Sequence, residues 1–259
     1  MPATAGRVKT LPAVKLYLRF GKINILFLWK LPHECISMIA NTITMKKNIQ
    51  PLQTETFYHI YNRGIDGGKI FKEDKNYCYF LKLYAKYIPS VAETYAYCLL
   101  GNHFHLLIRT KSEADIIANA NAGRVINPAC VSPACAGKPA TYYISHQFSK
   151  LFNSYAQAYN KAYSRTGRLF EEPFRRIPVT NEKYYTELFF YIHFNPQKHG
   201  ICDDYTQYPF SSYSSFLLHK KTQLRKEAVL DWFGSKQQFI HFHAKGKYQP
   251  VLNNLDLDV

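Results

Sequence analysis

The sequence predicts an α+β fold with an antiparallel sheet, from three observations. Short runs of β-forming residues are separated by two long segments whose apolar residues recur at helical spacing. A Gly-Asn pair sits between two of the β-type runs and suggests a hairpin. No strand is followed by the Gly-rich phosphate loop of doubly wound folds. A split βαβ arrangement with a helical C-terminal tail suits that order best.

The elements follow in turn. Phe57 to Gly64 is rich in β-formers and ends in the turn signal Gly64 to Gly68, which reads as a first strand. After Asp74, a suitable N-cap, Tyr77, Phe80, Leu81, Tyr84 and Ile88 trace one helical face that stops before Pro89. Tyr95 to Leu100 and His103 to Arg109 form the hairpin around Gly101-Asn102. Ile144, Phe148, Leu151, Phe152, Tyr155, Tyr159 and Ala162 mark a second long helix. Arg168 to Phe170 and Arg175 to Val179 read as extended, and Asn181 caps a further helix running to about His193, which Pro196 ends.

Domain limits come from changes in this pattern. Residues 1–45 lack periodicity and are expected to be a non-native or disordered extension, with Met45 as the natural start. Residues 46–220 form the main domain, interrupted at 123–138 by a Pro- and Gly-rich stretch expected to be a mobile insertion. Residues 221–259 should be a peripheral helical tail. The apolar run Ile23 to Trp29 is too short to span a bilayer and no cleavage site follows it, so a cytoplasmic protein without membrane contact is expected. Six cysteines without a C-x-x-C pair fit reduced, mostly buried thiols.

The 259 residues carry a net charge of +15, spread along the chain, which favours a polyanionic partner. Twenty-one tyrosines interleave with the basic residues. Rings that stack on bases, beside cations that follow phosphates, suit unpaired nucleic acid.

His103-Phe104-His105 is the string with most chemical content. Two histidines two apart in a strand project from one face about 7 Å apart, so both imidazoles can converge on one ion. Phe104 and Leu106 then face the core. His241-Phe242-His243 repeats the letters in a helical context, where residues two apart diverge, and no metal is expected there. Tyr191 and Asn195 lie one turn apart on a single helix face, beside a core stripe of Tyr185, Phe189 and Ile192. A tyrosine hydroxyl can attack phosphorus when a metal neutralises the phosphate oxygens, and Asn195 offers a third, neutral oxygen ligand.

Four strings, in order, resemble the REP-associated tyrosine transposases, the HUH-type single-tyrosine family: Phe57 to Gly64, Tyr97 to Ile108, Gly167 to Phe170, and Tyr191 to Pro196. The likeness continues into Tyr208 to Tyr213 and covers roughly residues 50 to 220. Gly101 stands where that family usually has proline, and Phe210 where tryptophan is common. The resemblance implies a ferredoxin-like fold and a transposase-type activity that nicks and rejoins single-stranded, hairpin-forming repetitive palindromic DNA. It implies a transient 5′-phosphotyrosine and a released 3′-hydroxyl, with Tyr191 as catalytic nucleophile and His103 and His105 as ligands of Mg²⁺ or Mn²⁺. Asn195 falls where related enzymes place a polar third ligand. Arg63, Arg168, Arg175 and Arg176 are the candidate DNA phosphate contacts. A homodimer is compatible with the family. The alternative is a catalytically inactive protein that binds hairpins of single-stranded DNA or RNA, and a metal-dependent hydrolase is a third class.

Overall fold

The computed structural model describes residues 50–126, 137–219 and 221–245. The expected N-terminal extension, and most of the expected insertion, lie outside the described residues.

Four strands form one antiparallel sheet: β1 (Phe57–Arg63), β2 (Ala92–Leu99), β3 (His103–Thr110) and β4 (Arg175–Pro178), in the order β2-β3-β1-β4. All neighbours are antiparallel, so β1 and β2 run parallel with β3 between them. Likewise β3 and β4 run parallel on either side of β1. This is the predicted split βαβ, ferredoxin-like topology.

Helix α1 (Asp74–Tyr87) links β1 to β2. Its N-cap is Glu73 rather than Asp74, in a capping box closed by Asn76. Two helices, α2 (Glu113–Ile126) and α3 (Ala140–Ala162), lie between β3 and β4. Helix α2 was not foreseen, because its Ala- and Asn-rich sequence has almost no apolar stripe, and Ile116 is its one fully buried side chain among those described. It also takes in residues 123–126, which the sequence reading assigned to the loop.

Strand alternation divides the interior in two. Tyr58 and Ile60 of β1 and Phe104, Leu106 and Ile108 of β3 face α1 and α3, where Phe80, Phe148 and Tyr155 complete the first core. Tyr61 and Leu107 face the other way, into a second core built on α4 (Glu182–Lys198). Asn181 caps α4 by accepting from the Tyr184 N–H at 2.7 Å.

Helix α4 runs through Pro196 to Lys198, five residues beyond the predicted end. Proline forfeits only its own N–H, and in the final turn that loss is small. The N–H groups after it are satisfied: His199 bonds Asn195 O at 3.1 Å and Ile201 bonds Pro196 O at 2.8 Å.

Three helices follow: α5 (Tyr213–Leu217), α6 (Lys226–Trp232) and α7 (Lys236–Lys245). They bury Phe216, Val229, Phe239 and His243 against the side of α4 that faces away from the sheet, and through α6 and α7 the described part of the expected tail, residues 221–245, packs into the second core. Helix α4 is therefore covered by the sheet on one side and by helices on the other. That is why Phe189, Tyr191, Ile192 and His193, pointing in different directions, are all fully buried.

Candidate active site

Strand β3 begins at the predicted hairpin, where Leu100 N–H bonds His103 O at 2.8 Å. Gly64 closes the same corner by donating to Asn102 O at 2.8 Å. A Cβ on Gly64 would collide with the carbonyl oxygen of Gly68, so only glycine fits where β1 enters the turn over residues 65–68. His103 and His105 thus leave β3 on the α4 side, with ring centroids 5.1 Å apart and planes near perpendicular. His103 is 3% exposed and His105 0%.

Helix α4 brings the second half of the site. The Tyr191 ring centroid lies 5.4 Å from that of His105, edge to face, and 6.5 Å from His59. Asn195, one turn on, places Oδ1 3.4 Å from His103 Nε2. The spacing of Tyr191 and Asn195, and that of the two β3 histidines, therefore converge on one place.

His103 Nδ1–H donates to Asn102 Oδ1 at 2.7 Å, so a neutral ring turns a lone pair at Nε2 toward Asn195 Oδ1. Two lone pairs at 3.4 Å with no proton between them are satisfied by a shared cation, or by turning the amide so that Nδ2 donates. His105 Nε2 and Asn195 Nδ2 are buried and have no hydrogen-bond partner among the described residues. Burial, reinforced by His59, His103, His199 and Lys198, drives the His105 pKa well below that of free histidine. The imidazole is neutral, as a metal ligand must be.

Among the described residues no three His, Cys, Asp or Glu side chains are arranged to hold a metal. The donors that fit one are two imidazole nitrogens and the Asn195 oxygen, a set suited to a hard or borderline divalent ion that keeps water in its remaining positions.

Sequence reasoning missed His59, Lys198 and His199. His59 is fully buried on β1, with Nε2 2.9 Å from His105 Nδ1. His199, at the C-cap of α4, sets its ring 5.1 Å from that of His103, and Lys198 Nζ lies 5.1 Å from the Tyr191 ring. Both lie two turns beyond Tyr191 on its face, and the periodicity would have found them had α4 been carried through Pro196.

The four arginines divide between the faces of the sheet. Arg175 pairs with Tyr61, and Tyr61 with His105, so all three share one row on the α4 side, with Arg175 exposed at the edge strand. Arg63 is opposite His103 but binds Glu171 through Nε at 2.6 Å. Arg168 and Arg176 instead line a groove of about 740 Å³ on the α3 side. There Arg168 meets Glu172 at 3.2 Å, and the Arg176 guanidinium lies 3.9 Å from the Phe174 ring. The structure does not bring these two to Tyr191.

The second His-x-His pair is helical, as expected, with His241 exposed and His243 buried. His243 Nδ1–H donates to Phe239 O at 2.9 Å, so its Nε2 accepts from His193 Nδ1–H at 3.0 Å. His193 Nε2 then accepts from the Ser212 hydroxyl at 2.8 Å, and Ser212 Oγ accepts the Tyr97 N–H at 2.9 Å. Every member is satisfied, and the chain pins the back of α4 to β2 and α7.

No described helix is long and apolar enough to cross a membrane. No family model and no curated protein matches the chain. Among solved structures, a REP-associated tyrosine transposase bound to a REP hairpin is similar at a TM-score of 0.46 and 15% identity, over 67% of this chain and 86% of that one.

Proposed function

We propose that the chain nicks and rejoins hairpin-forming single-stranded DNA through a covalent tyrosine intermediate, as a metal-dependent transposase-type strand transferase. What carries the reading is the meeting of two independent sequence signals: the Tyr191 ring lies 5.4 Å from that of His105, a buried imidazole whose Nε2 has no hydrogen-bond partner among the described residues.

His103 Nε2, His105 Nε2 and Asn195 Oδ1 would hold Mg²⁺ or Mn²⁺. A cation there supplies positive charge to a non-bridging phosphate oxygen and lowers the cost of nucleophilic attack. The Tyr191 oxygen bonds to phosphorus and gives up its proton, and the P–O3′ bond breaks to release a 3′-hydroxyl that takes up a proton. Lys198 Nζ, 5.1 Å from the centre of the Tyr191 ring, places a positive charge beside the nucleophile, where it can face a phosphate. The linkage formed is still a phosphodiester, so a 3′-hydroxyl can attack it later and reseal DNA without a nucleotide triphosphate. Arg175, exposed in the row of His105, holds a flanking phosphate. The net charge of +15 favours the phosphates of unpaired strands.

A second reading has its own support: Tyr191 is 0% exposed, which suits a hairpin-binding protein that no longer cleaves. One experiment separates them. A labelled hairpin oligonucleotide incubated with Mn²⁺ and the full chain gives, on the catalytic reading, protein-linked DNA on a denaturing gel that Tyr191→Phe abolishes while binding persists. Tight binding with uncut DNA supports the binding module. Cut DNA never linked to protein supports a hydrolase.

A further inference from the structure

His59 has no role in the reaction described above, yet it is locked against the residue that matters most. It is fully buried, stacked on Tyr61 at 4.8 Å and 25°, and its Nε2 lies 2.9 Å from His105 Nδ1. A hydrogen bond between two ring nitrogens contains one proton, so one ring donates and the other accepts.

The consequence appears on the far side of each ring. If His105 Nδ1–H donates, His105 Nε2 keeps its lone pair and the His59 proton sits on Nδ1. If His59 Nε2–H donates, His105 carries its proton on Nε2 and cannot bind a cation there. His59 Nδ1 and His105 Nε2 are both buried without a partner among the described residues, so each tautomer leaves one N–H unsatisfied. The protein alone leaves the two states close in energy. With one proton shared between the two facing nitrogens, the choice is between tautomers.

We infer that His59 is a positioning residue: when a cation takes the Nε2 lone pair of His105, His59 accepts the Nδ1–H and holds the ring in that ligating tautomer. A ligating histidine generally donates its other N–H to a fixed acceptor, and losing that acceptor weakens metal binding. Here the acceptor is a neutral imidazole rather than a carboxylate. It directs the ligand without adding a negative charge to a site that must receive phosphate.

The inference rests on the metal site proposed above, and calorimetric titration of the full chain with Mn²⁺ alone separates the two. Wild type should bind. His59→Phe, similar in shape but without an acceptor, should bind about 10- to 100-fold more weakly. His59→Gln, whose side-chain oxygen can still accept, should stay within a few-fold of wild type. Equal binding by wild type and His59→Phe overturns the positioning role and leaves the metal site standing, whereas no binding by wild type overturns the metal site itself. Should His59→Phe fail to fold, ¹⁵N-histidine spectra of wild type with saturating Mg²⁺ decide: His105 must be unprotonated at Nε2 and protonated at Nδ1. The reverse tautomer overturns the inference.

Discussion

Arg175 and His105 stand in one cross-strand row of the sheet, with Tyr61 between them. Arg176, the next residue, points to the opposite face and lies against Phe174. A strand passing Tyr191 therefore meets one of these two cations and not the other.

Arg175→Ala should weaken hairpin binding and lower the salt dependence of the affinity by about one counterion, the signature of a lost phosphate contact. Arg168→Ala, already paired with Glu172 on the far face, should leave the nicking rate within about two-fold of wild type. Filter binding and single-turnover nicking at several salt concentrations check both, and equal effects of the two variants would contradict this assignment.

Asn195→Ala removes a proposed ligand and also a buried NH₂ that has no hydrogen-bond partner among the described residues. Mn²⁺ affinity should fall about ten-fold. Thermal stability should change little, because the loss of an unsatisfied polar group offsets part of the cavity left behind. A large drop in Tm at unchanged Mn²⁺ affinity would make Asn195 a structural residue.

The two histidines of α7 provide an internal comparison. His241→Ala, on the exposed side, should be nearly neutral. His243→Ala empties a buried position and strands the Nδ1–H of His193, which should cost about 2–4 kcal/mol in urea denaturation. Similar costs for both would contradict the packing of α7 on α4.

Acid should destabilise the fold earlier than carboxylate protonation alone would. Burial lowers the pKa of His59 to about 3 and of His243 to about 4, and holds His105 and His193 well below the normal value. A depressed folded pKa means that the unfolded chain takes up protons the folded chain refuses. The stabilisation is thus complete above about pH 6.5 and is lost as pH falls toward the folded values. Each such histidine contributes on the order of 1.4 kcal/mol per pH unit in that window. Urea midpoints at pH 7.5 and 5.5 should differ clearly, and a flat profile would show that the histidines are not buried neutral.

Local periodicity carried most of what the sequence revealed. His103 and His105 share a strand face, and Tyr191 and Asn195 a helix face, because periods of two and 3.6 are written in consecutive residues. The split βαβ order follows from the same signals. The partnership of His59 with His105 depends on the β1–β3 register, a long-range pairing with no local signature. Helix α2 lacks a stripe to read. Pro196 was taken as a stop, which cut His199 out of the site. Tyr191 is buried on the sheet side of α4, against His59 and His105, whose pairing depends on strand register and has no local signature.

The central claim is that the Tyr191 oxygen bonds to phosphorus. After reaction with a hairpin oligonucleotide and Mn²⁺, nuclease trimming and trypsin, tandem mass spectrometry of the peptide spanning residues 184–198 should find a nucleotide adduct on Tyr191, and on neither Tyr184 nor Tyr185. An adduct on another residue, or cleaved DNA with this peptide unmodified, would contradict the account.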